Sequence, residues 1–292
     1  MIFVTNRCNL KCDYCFVDAN FSNQKELTVE EIKEAIDIIK PTRVVHLTGG
    51  EPFLRYDDII EIAEYALERV PSVVINTNGT ILDKDLTKIK NLKGKEVCLI
   101  ISLDGFKENH DRACGVDGTF EKVLEFSKKA LELGLNIQVK TTLPNDLINN
   151  EKYCQDFSFF CRGFGFKRMM LGNVFGVGRG REFCKTQEKW KLTQQEHIEL
   201  YSKTESINNY ILPCEDNLHL FKKGKYVLPQ FCIRCSLERN DAILLPDGTV
   251  KAECCFLDFP MGHYKDFTLD KFEAKLNEMR EMRDSGIDVR SK

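Results

Sequence analysis

Six short apolar runs punctuate the first 171 residues, and stretches with helical periodicity separate them. The runs are Ile2–Thr5, Val44–Leu47, Val73–Ile75, Val97–Ile101, Ile137–Thr142 and Lys167–Leu171. After the first, Thr28-Val29-Glu30-Glu31 has the form of a capping box. Ile32, Ala35, Ile36 and Ile39 then repeat on one helical face and stop at Pro41. Further helices are expected from about Asp57 to Arg69, near 83–92, from Thr119 to a stop at Gly134, and near 149–162. A capping box at Thr193-Gln194-Gln195-Glu196 opens another. Strands alternating with helices make βα units, hence a parallel sheet with right-handed crossovers. Val97-Cys98-Leu99-Ile100-Ile101 is apolar throughout, as a parallel strand covered on both faces should be.

Every chemically suggestive segment lies just after one of these strands. The first strand leads to Cys8-Asn9-Leu10-Lys11-Cys12-Asp13-Tyr14-Cys15, and the second to Thr48-Gly49-Gly50-Glu51-Pro52. The third ends in Asn76-Thr77-Asn78-Gly79, the fourth in Ser102-Leu103-Asp104-Gly105, and Thr141 lies at the end of the fifth. The sixth runs into a glycine-rich stretch from Gly172 to Gly180 that contains Arg179. Barrel-like α/β folds gather ligands at the C-terminal ends of their strands, so these signals converge on one face.

The Cys8/Cys12/Cys15 spacing, CxxxCxxC, places three thiolates on one short loop. Three thiolates hold three corners of an iron–sulfur cube. Such cubes usually take four cysteines, so three leave one iron open for chemistry. Zinc would want a fourth Cys or His close by, and residues 1–45 offer none. Thirteen cysteines in 292 residues, with no signal peptide ahead of the first strand, point to metal or cluster binding in a reducing cytoplasm. Cys98, Cys114, Cys154, Cys161 and Cys184 lack ligand-like spacing and read as buried structural thiols. A net charge of −3 gives no support to a nucleic-acid partner. No apolar run approaches the roughly 20 residues of a membrane helix.

The cysteine spacing, with Tyr14 directly before the third cysteine, resembles the signature of the radical S-adenosylmethionine (radical SAM) enzymes. So does Gly49-Gly50-Glu51-Pro52 at this distance from it. The resemblance implies a [4Fe–4S] cluster on Cys8, Cys12 and Cys15 whose open iron chelates the amino and carboxylate groups of SAM. It implies an external electron donor of flavodoxin or ferredoxin type, cleavage of SAM to a 5′-deoxyadenosyl radical, and hydrogen abstraction from a substrate. It also implies cofactor contacts. Tyr14 sits within the motif, and Gly49, Gly50, Glu51 and Pro52 line the methionyl amino group. Ser102 and Asp104 would hold ribose hydroxyls, Asn76, Asn78 and Thr141 would touch SAM, and Arg179 would pair with a carboxylate. Other readings stay open: strand-end Asn and Thr also serve as caps, Asp104-Gly105 as a tight turn, and Arg179 as a solvated loop residue.

Beyond residue 210, Cys214, Cys232, Cys235, Cys254 and Cys255 fall within 42 residues. Ala242–Leu245 and Thr249-Val250 flank Asp247-Gly248, a hairpin signal. Cys235, Gly248 and Cys254 resemble the opening of the twitch and SPASM domains, which hold auxiliary [4Fe–4S] clusters. Five residues separate Gly248 from Cys254, one more than the family pattern. A helix from Thr268 carries Leu269, Phe272, Leu276 and Met279 on one face, with no cysteine after it. One auxiliary cluster is therefore expected on Cys232, Cys235, Cys254 and either Cys214 or Cys255. Adjacent side chains of an extended strand point to opposite faces, which favours Cys214. A zinc ribbon is the alternative on spacing alone.

The expected fold is α/β: a partial (β/α)6 TIM-like barrel over 1–209, followed by a small α+β twitch/SPASM-like domain over 210–292. The expected substrate is a ribosomally synthesised peptide or protein side chain, to be crosslinked, epimerised or oxidised. Against this, the cysteine motif begins at position 8, with no peptide-recognition domain ahead of it. One alternative is a dehydrogenase of a small alcohol or carbohydrate-like molecule. Another is a non-catalytic iron–sulfur or zinc protein. No catalytic acid or base is legible.

Overall fold

The computed structural model describes residues 1–19, 25–92, 96–143, 147, 150–172, 178–180, 182, 211–213, 242–252 and 260–284. Strands β1 (Ile2–Phe3), β2 (Val44–Thr48), β3 (Ser72–Thr77), β4 (Glu96–Ser102), β5 (Asn136–Thr142), β6 (Met169–Gly172) and β7 (Ile211–Pro213) pair in sequence order, all parallel. The parallel βα reading therefore holds, with a short seventh strand that the sequence did not announce.

Helix α1 (Val29–Ile39) starts as its capping box dictates. Thr28 Oγ1 accepts from the Glu31 N–H at 3.2 Å, and the Glu31 carboxylate accepts from the Thr28 N–H at 2.9 Å. It ends with Lys40 in the left-handed region, just before Pro41. A 3-10 turn over Pro52–Arg55 leads into α2 (Tyr56–Leu67). The helix expected near 83–92 shrinks to α3 (Thr87–Lys90), because the Asp85 carboxylate caps the Thr87 N–H and shortens the run. Helix α4 (Lys107–Cys114) was not legible, since KENHDRAC has no apolar periodicity. Helix α5 (Thr119–Glu132) ends in a Schellman arrangement at Gly134: its N–H donates to Leu131 O, and that of Leu135 to Ala130 O. Helix α6 (Glu151–Phe164) carries Phe157, fully buried, and Tyr153, and both rings pack edge-on against Phe106 in the loop after β4.

Alternation along the strands sorts residues onto two faces. Val45, Leu47, Val73, Ile75, Leu99, Ile101, Ile137 and Val139 are buried in the core with the inward faces of the helices. The opposite face carries His46, Val74, Asn76, Ile100, Gln138, Lys140 and Thr142, half-buried, and Ser102, exposed.

The hairpin forms as predicted. Strands β8 (Ala242–Leu244) and β9 (Thr249–Ala252) pair antiparallel around Asp247-Gly248. Strand β10 (Pro260–His263) adds to β9, and α7 (Leu269–Asp284) follows. Strand β8 pairs parallel with β1, extending the same sheet on the side opposite β7. The Leu27 N–H donates to Pro246 O at 2.8 Å, and the buried Tyr264 hydroxyl donates to Glu34 of α1 at 2.7 Å. The helix expected at Thr193, and Cys184, Cys214, Cys232, Cys235, Cys254 and Cys255, lie outside the described residues. None of the described helices is long and apolar enough to cross a membrane.

Candidate functional site

The loop after β1 is held from beneath by Glu26. Its carboxylate accepts from the Thr5 hydroxyl at 2.5 Å, the Asn6 N–H at 2.9 Å and the Arg7 guanidinium at 3.2 Å. Above this floor, Cys8 is buried and Cys12 and Cys15 are half-buried, all three as free thiols. They pack together with Leu10, Val17 and Ala19. Two sulfurs already accept backbone N–H groups: Leu10 N to Cys8 Sγ at 3.4 Å, and Ala19 N to Cys15 Sγ at 3.5 Å. Burial pushes the Cys8 thiol up to about 12.

Gly49-Gly50-Glu51 runs alongside Thr5–Arg7 as an extra stretch of pairing. The Gly50 N–H donates to Thr5 O and the Glu51 N–H to Arg7 O, both at 2.8 Å. A Cβ on Gly49 would lie 2.4 Å from Thr5 O, and one on Gly50 would lie 2.1 Å from Arg7 O. The paired glycines thus let two backbones touch, which locks the cysteine loop to the end of β2. Glu51 was expected to offer acceptors to a ligand ammonium. Its carboxylate is instead fully buried and filled from the protein, by Phe53 N at 2.9 Å, Thr77 Oγ1 at 2.8 Å and Asn78 N at 2.7 Å. Burial raises it to about 7, although those bonds pull it down. Pro52 opens the following 3-10 turn and is buried.

At the end of β3, Asn78 bridges to the loop, donating to Asn9 Oδ1 at 2.8 Å and lying 3.9 Å from Cys8 Sγ. Asn76 faces the open side and meets His46 Nε2 at 2.9 Å. Burial holds the His46 imidazole down at about 4, so it is neutral at physiological pH. After β4, Asp104 is buried and joins the cysteine loop, since Tyr14 donates its hydroxyl to it. The other Asp104 oxygen accepts from the Thr142 N–H at 2.6 Å. Burial raises its carboxyl to about 6. Ser102 is exposed on the open face. Thr141 was expected at a ligand, but it lies on the helix-covered side, fully buried, with its hydroxyl given to Leu103 O at 2.8 Å. Strand alternation gives the open face to its neighbours Lys140 and Thr142.

Arg179 was expected to reach a ligand carboxylate. It clasps the cysteine loop instead, donating to Cys12 O at 2.9 Å, Ala19 O at 2.7 Å and the Asp18 carboxylate at 2.9 Å. Its own N–H donates to Cys15 O, and Gly178 lies so close that a Cβ would sit 2.5 Å from Phe16 O.

Two groups escaped sequence reasoning. Lys140 is a cation on the open face whose charge is felt by both His46 and Asp104. Its signal was the strand alternation of Gln138-Val139-Lys140. Cys114, read as a structural thiol, packs in the cysteine-loop cluster. Asp111 caps α5 by accepting from Gly118 N, Phe120 N and the Thr119 hydroxyl, which holds it down at about 2 despite its burial.

The donor set suits a three-cysteine iron–sulfur cluster. Three thiols share one loop, backbone N–H groups already point at two of them, and strand ends clasp the loop from several sides. Among the described residues no three His, Cys, Asp or Glu side chains close on a single ion. A cube presents separate irons to its ligands, so its thiols stand apart.

Comparison with known proteins places this geometry. The Fe-coproporphyrin III synthase of Methanosarcina barkeri is 37% identical over 146 residues, 48% of this chain and 35% of that protein. A probable GTP 3′,8-cyclase of Sulfurisphaera tokodaii is 28% identical over 306 residues, covering 99% of this chain and 91% of that protein. The chain spans less than half the length of several of the curated relatives it matches. Among solved structures, Streptococcus suis SuiB bound to S-adenosylmethionine superposes with a TM-score of 0.69 at 17% identity, over 92% of this chain and 64% of SuiB. The enzyme anSMEcpe, with bound AdoMet and a peptide, gives 0.66 at 18% identity, over 95% and 80%. These likenesses confirm the α/β partial-barrel fold. Residues 2–159, more than half the chain, match the family model described as the radical SAM superfamily, whose members use a [4Fe–4S] cluster and S-adenosylmethionine, and the chain belongs to that superfamily.

Proposed function

We propose that the chain is a radical SAM enzyme in which Cys8, Cys12 and Cys15 hold the catalytic cluster. The observation that carries this reading is the packing of three free thiols in one loop, pinned to the ends of β2, β3 and β4 by Gly49-Gly50, Asn78 and Asp104. When bound, the cluster and SAM supply an electron and a hydrogen-abstracting 5′-deoxyadenosyl radical. The chain's own residues hold and shield that chemistry. Arg179 and Glu26 fix the loop from opposite ends, which limits its rearrangement as the cluster loads. Lys140 stands on the open face as a partner for a carboxylate, and Asn76, Ser102 and Thr142 add hydrogen-bonding groups around it. Neutral His46, pinned by Asn76, offers a proton-exchange group on the same face.

The proposed substrate is a peptide or protein side chain. Support comes from SuiB, whose solved structures include one bound to its precursor peptide SuiA, and from anSMEcpe with the Cp18Cys peptide. The AlbA protein of Bacillus subtilis subtilosin biosynthesis, 27% identical over 182 residues, points the same way. Full-length coverage by a probable GTP 3′,8-cyclase supports a second reading, a small phosphorylated substrate. The auxiliary [4Fe–4S] cluster on Cys232, Cys235, Cys254 and Cys214, in a second domain over 210–292, remains part of the proposal. The hairpin at Asp247-Gly248 supports it.

The test is anaerobic incubation with SAM and reductant, offering GTP in one arm and, in the other, short Cys-, Thr- or aromatic-containing peptides encoded beside the gene. A mass change in a peptide supports the first reading. Conversion of GTP with unmodified peptides overturns it in favour of the second.

A further inference from the structure

His46 stands on the open face of β2, beside Asn76 of β3 and two residues before Thr48 on its own strand. The three side chains form a chain of hydrogen bonds. Asn76 Nδ2 donates to Thr48 Oγ1 at 3.3 Å, which turns Asn76 Oδ1 toward His46 Nε2 at 2.9 Å. An amide oxygen only accepts, so Nε2 is the nitrogen that carries the proton. In the neutral ring Nδ1 is then a bare lone pair.

The setting keeps that lone pair bare. Val74 is in register with His46, and Ile100 with Asn76, so apolar side chains share this part of the face. Phe3, in register with Thr48, adds a ring that Phe16 meets edge-on at 6.1 Å. Burial holds the imidazole neutral at physiological pH. The charges that reach it, the N-terminal ammonium ahead of β1 and the Lys140 ammonium on β5, are both cations and work the same way. The flanking strands β1 and β3 carry no ionisable side chain. Lys140 itself stands at another depth. Through Val74 and Cys98, His46 is in register with Asn136, four residues before Lys140 on β5. That is a rise of about 13 Å toward the strand ends.

We infer that His46 is a substrate-contacting residue at the deep end of the open face, where its Nδ1 accepts a hydrogen bond from an N–H or O–H group of the substrate, and that any anionic part of the substrate lies toward Lys140. The inference rests on the reading of this face as the substrate site and narrows it. The group seated over β2 and β3 is an amide or a hydroxyl. A phosphate or carboxylate oxygen there would meet the ring lone pair to lone pair. An acceptor walled by apolar side chains also rejects an analogue that lacks the donor, because its lone pair is then left without partner or water.

Two substitutions separate the two nitrogens. Asn places its carboxamide where Nδ1 stood, so His46→Asn keeps an acceptor for the substrate and gives up the bond to Asn76. Gln reaches the place of Nε2, so His46→Gln keeps the bond to Asn76 and leaves nothing at Nδ1. The anaerobically reconstituted proteins receive SAM, reductant and, as probe, GTP or the peptides encoded beside the gene. Probe conversion is counted per 5′-deoxyadenosine formed. This ratio and kcat/KM should fall about tenfold to hundredfold in His46→Gln and by less than about tenfold in His46→Asn. The reverse order, or equal values in the two variants, makes the bond to Asn76 a structural one and overturns the inference. Nitrogen NMR of the holoenzyme labelled with 15N-histidine reads the tautomer directly, with the His46 signals assigned by their loss in His46→Asn. Nε2 should be protonated and Nδ1 bare from pH 8 down to pH 5.5. A proton on Nδ1 overturns the inference whatever the probes do. A wild-type protein that forms no 5′-deoxyadenosine overturns the reading of the cysteine loop itself, and the inference with it.

Discussion

Replacing Glu51 with Gln tests the buried carboxylate that ties the ends of β2 and β3 together. Glu51 has no solvent exposure and accepts three hydrogen bonds, from Phe53, Thr77 and Asn78. Burial raises its pKa from 4.5 to about 7, so the folded protein holds this proton more tightly than the unfolded chain does. The stability tied to that proton is fully present below pH 4.5 and is lost as pH rises through about 7. Between pH 5 and pH 8 the loss amounts to about 2–3 kcal/mol. Gln does not titrate, so the variant lacks this slope. At both pH values it also turns an amide N–H toward the Asn78 N–H, costing about 1–3 kcal/mol. Urea unfolding of metal-free protein under reductant at pH 5 and pH 8 should therefore show Glu51→Gln destabilising more at pH 5, by about 2–3 kcal/mol. An equal cost at the two pH values, or a larger one at pH 8, would refute the reasoning.

Two further substitutions probe how the loop is held. Gly50→Ala places a Cβ 2.1 Å from the Arg7 carbonyl, so it should cost more than about 3 kcal/mol and abolish iron loading. Gly118→Ala meets nothing within 4 Å and strains only a φ of 79°, so it should cost about 1–2 kcal/mol and leave loading intact. Thermal melts and iron counts separate the two. Arg179→Lys keeps the charge but loses the fork that reaches Cys12 O, Ala19 O and Asp18 together. Iron release to a chelator should quicken in this variant while the fold, followed by circular dichroism, persists.

Local signals made the frame legible. The capping box at Thr28, the left-handed stop at Gly134 and the Asp247-Gly248 turn all formed where the residues placed them. So did the convergence of Cys8–Cys15, Gly49-Gly50, Asn78 and Asp104 at one set of strand ends. What the residues could not show was where their bonds go. Glu51 and Arg179 read as ligand-facing because a carboxylate and a guanidinium look free in a sequence. In the fold both are engaged, one by strand-end donors and the other by loop carbonyls. Thr141 misled by a single residue, since a period of two sends it to the core and Lys140 to the open face. Cys114 and the pairing of β8 with β1 were hidden for a different reason. Each depends on residues about 100 or more positions apart, a contact no local pattern encodes.

The most direct measurement is reductive cleavage of SAM by the anaerobically reconstituted protein and by its Cys8/Cys12/Cys15 triple alanine variant. Under a strong reductant, 5′-deoxyadenosine and methionine are quantified by chromatography. The account predicts that the wild-type protein forms 5′-deoxyadenosine and that the triple variant forms none. Equal 5′-deoxyadenosine from both proteins, or none from a wild-type protein carrying its cluster, would contradict it.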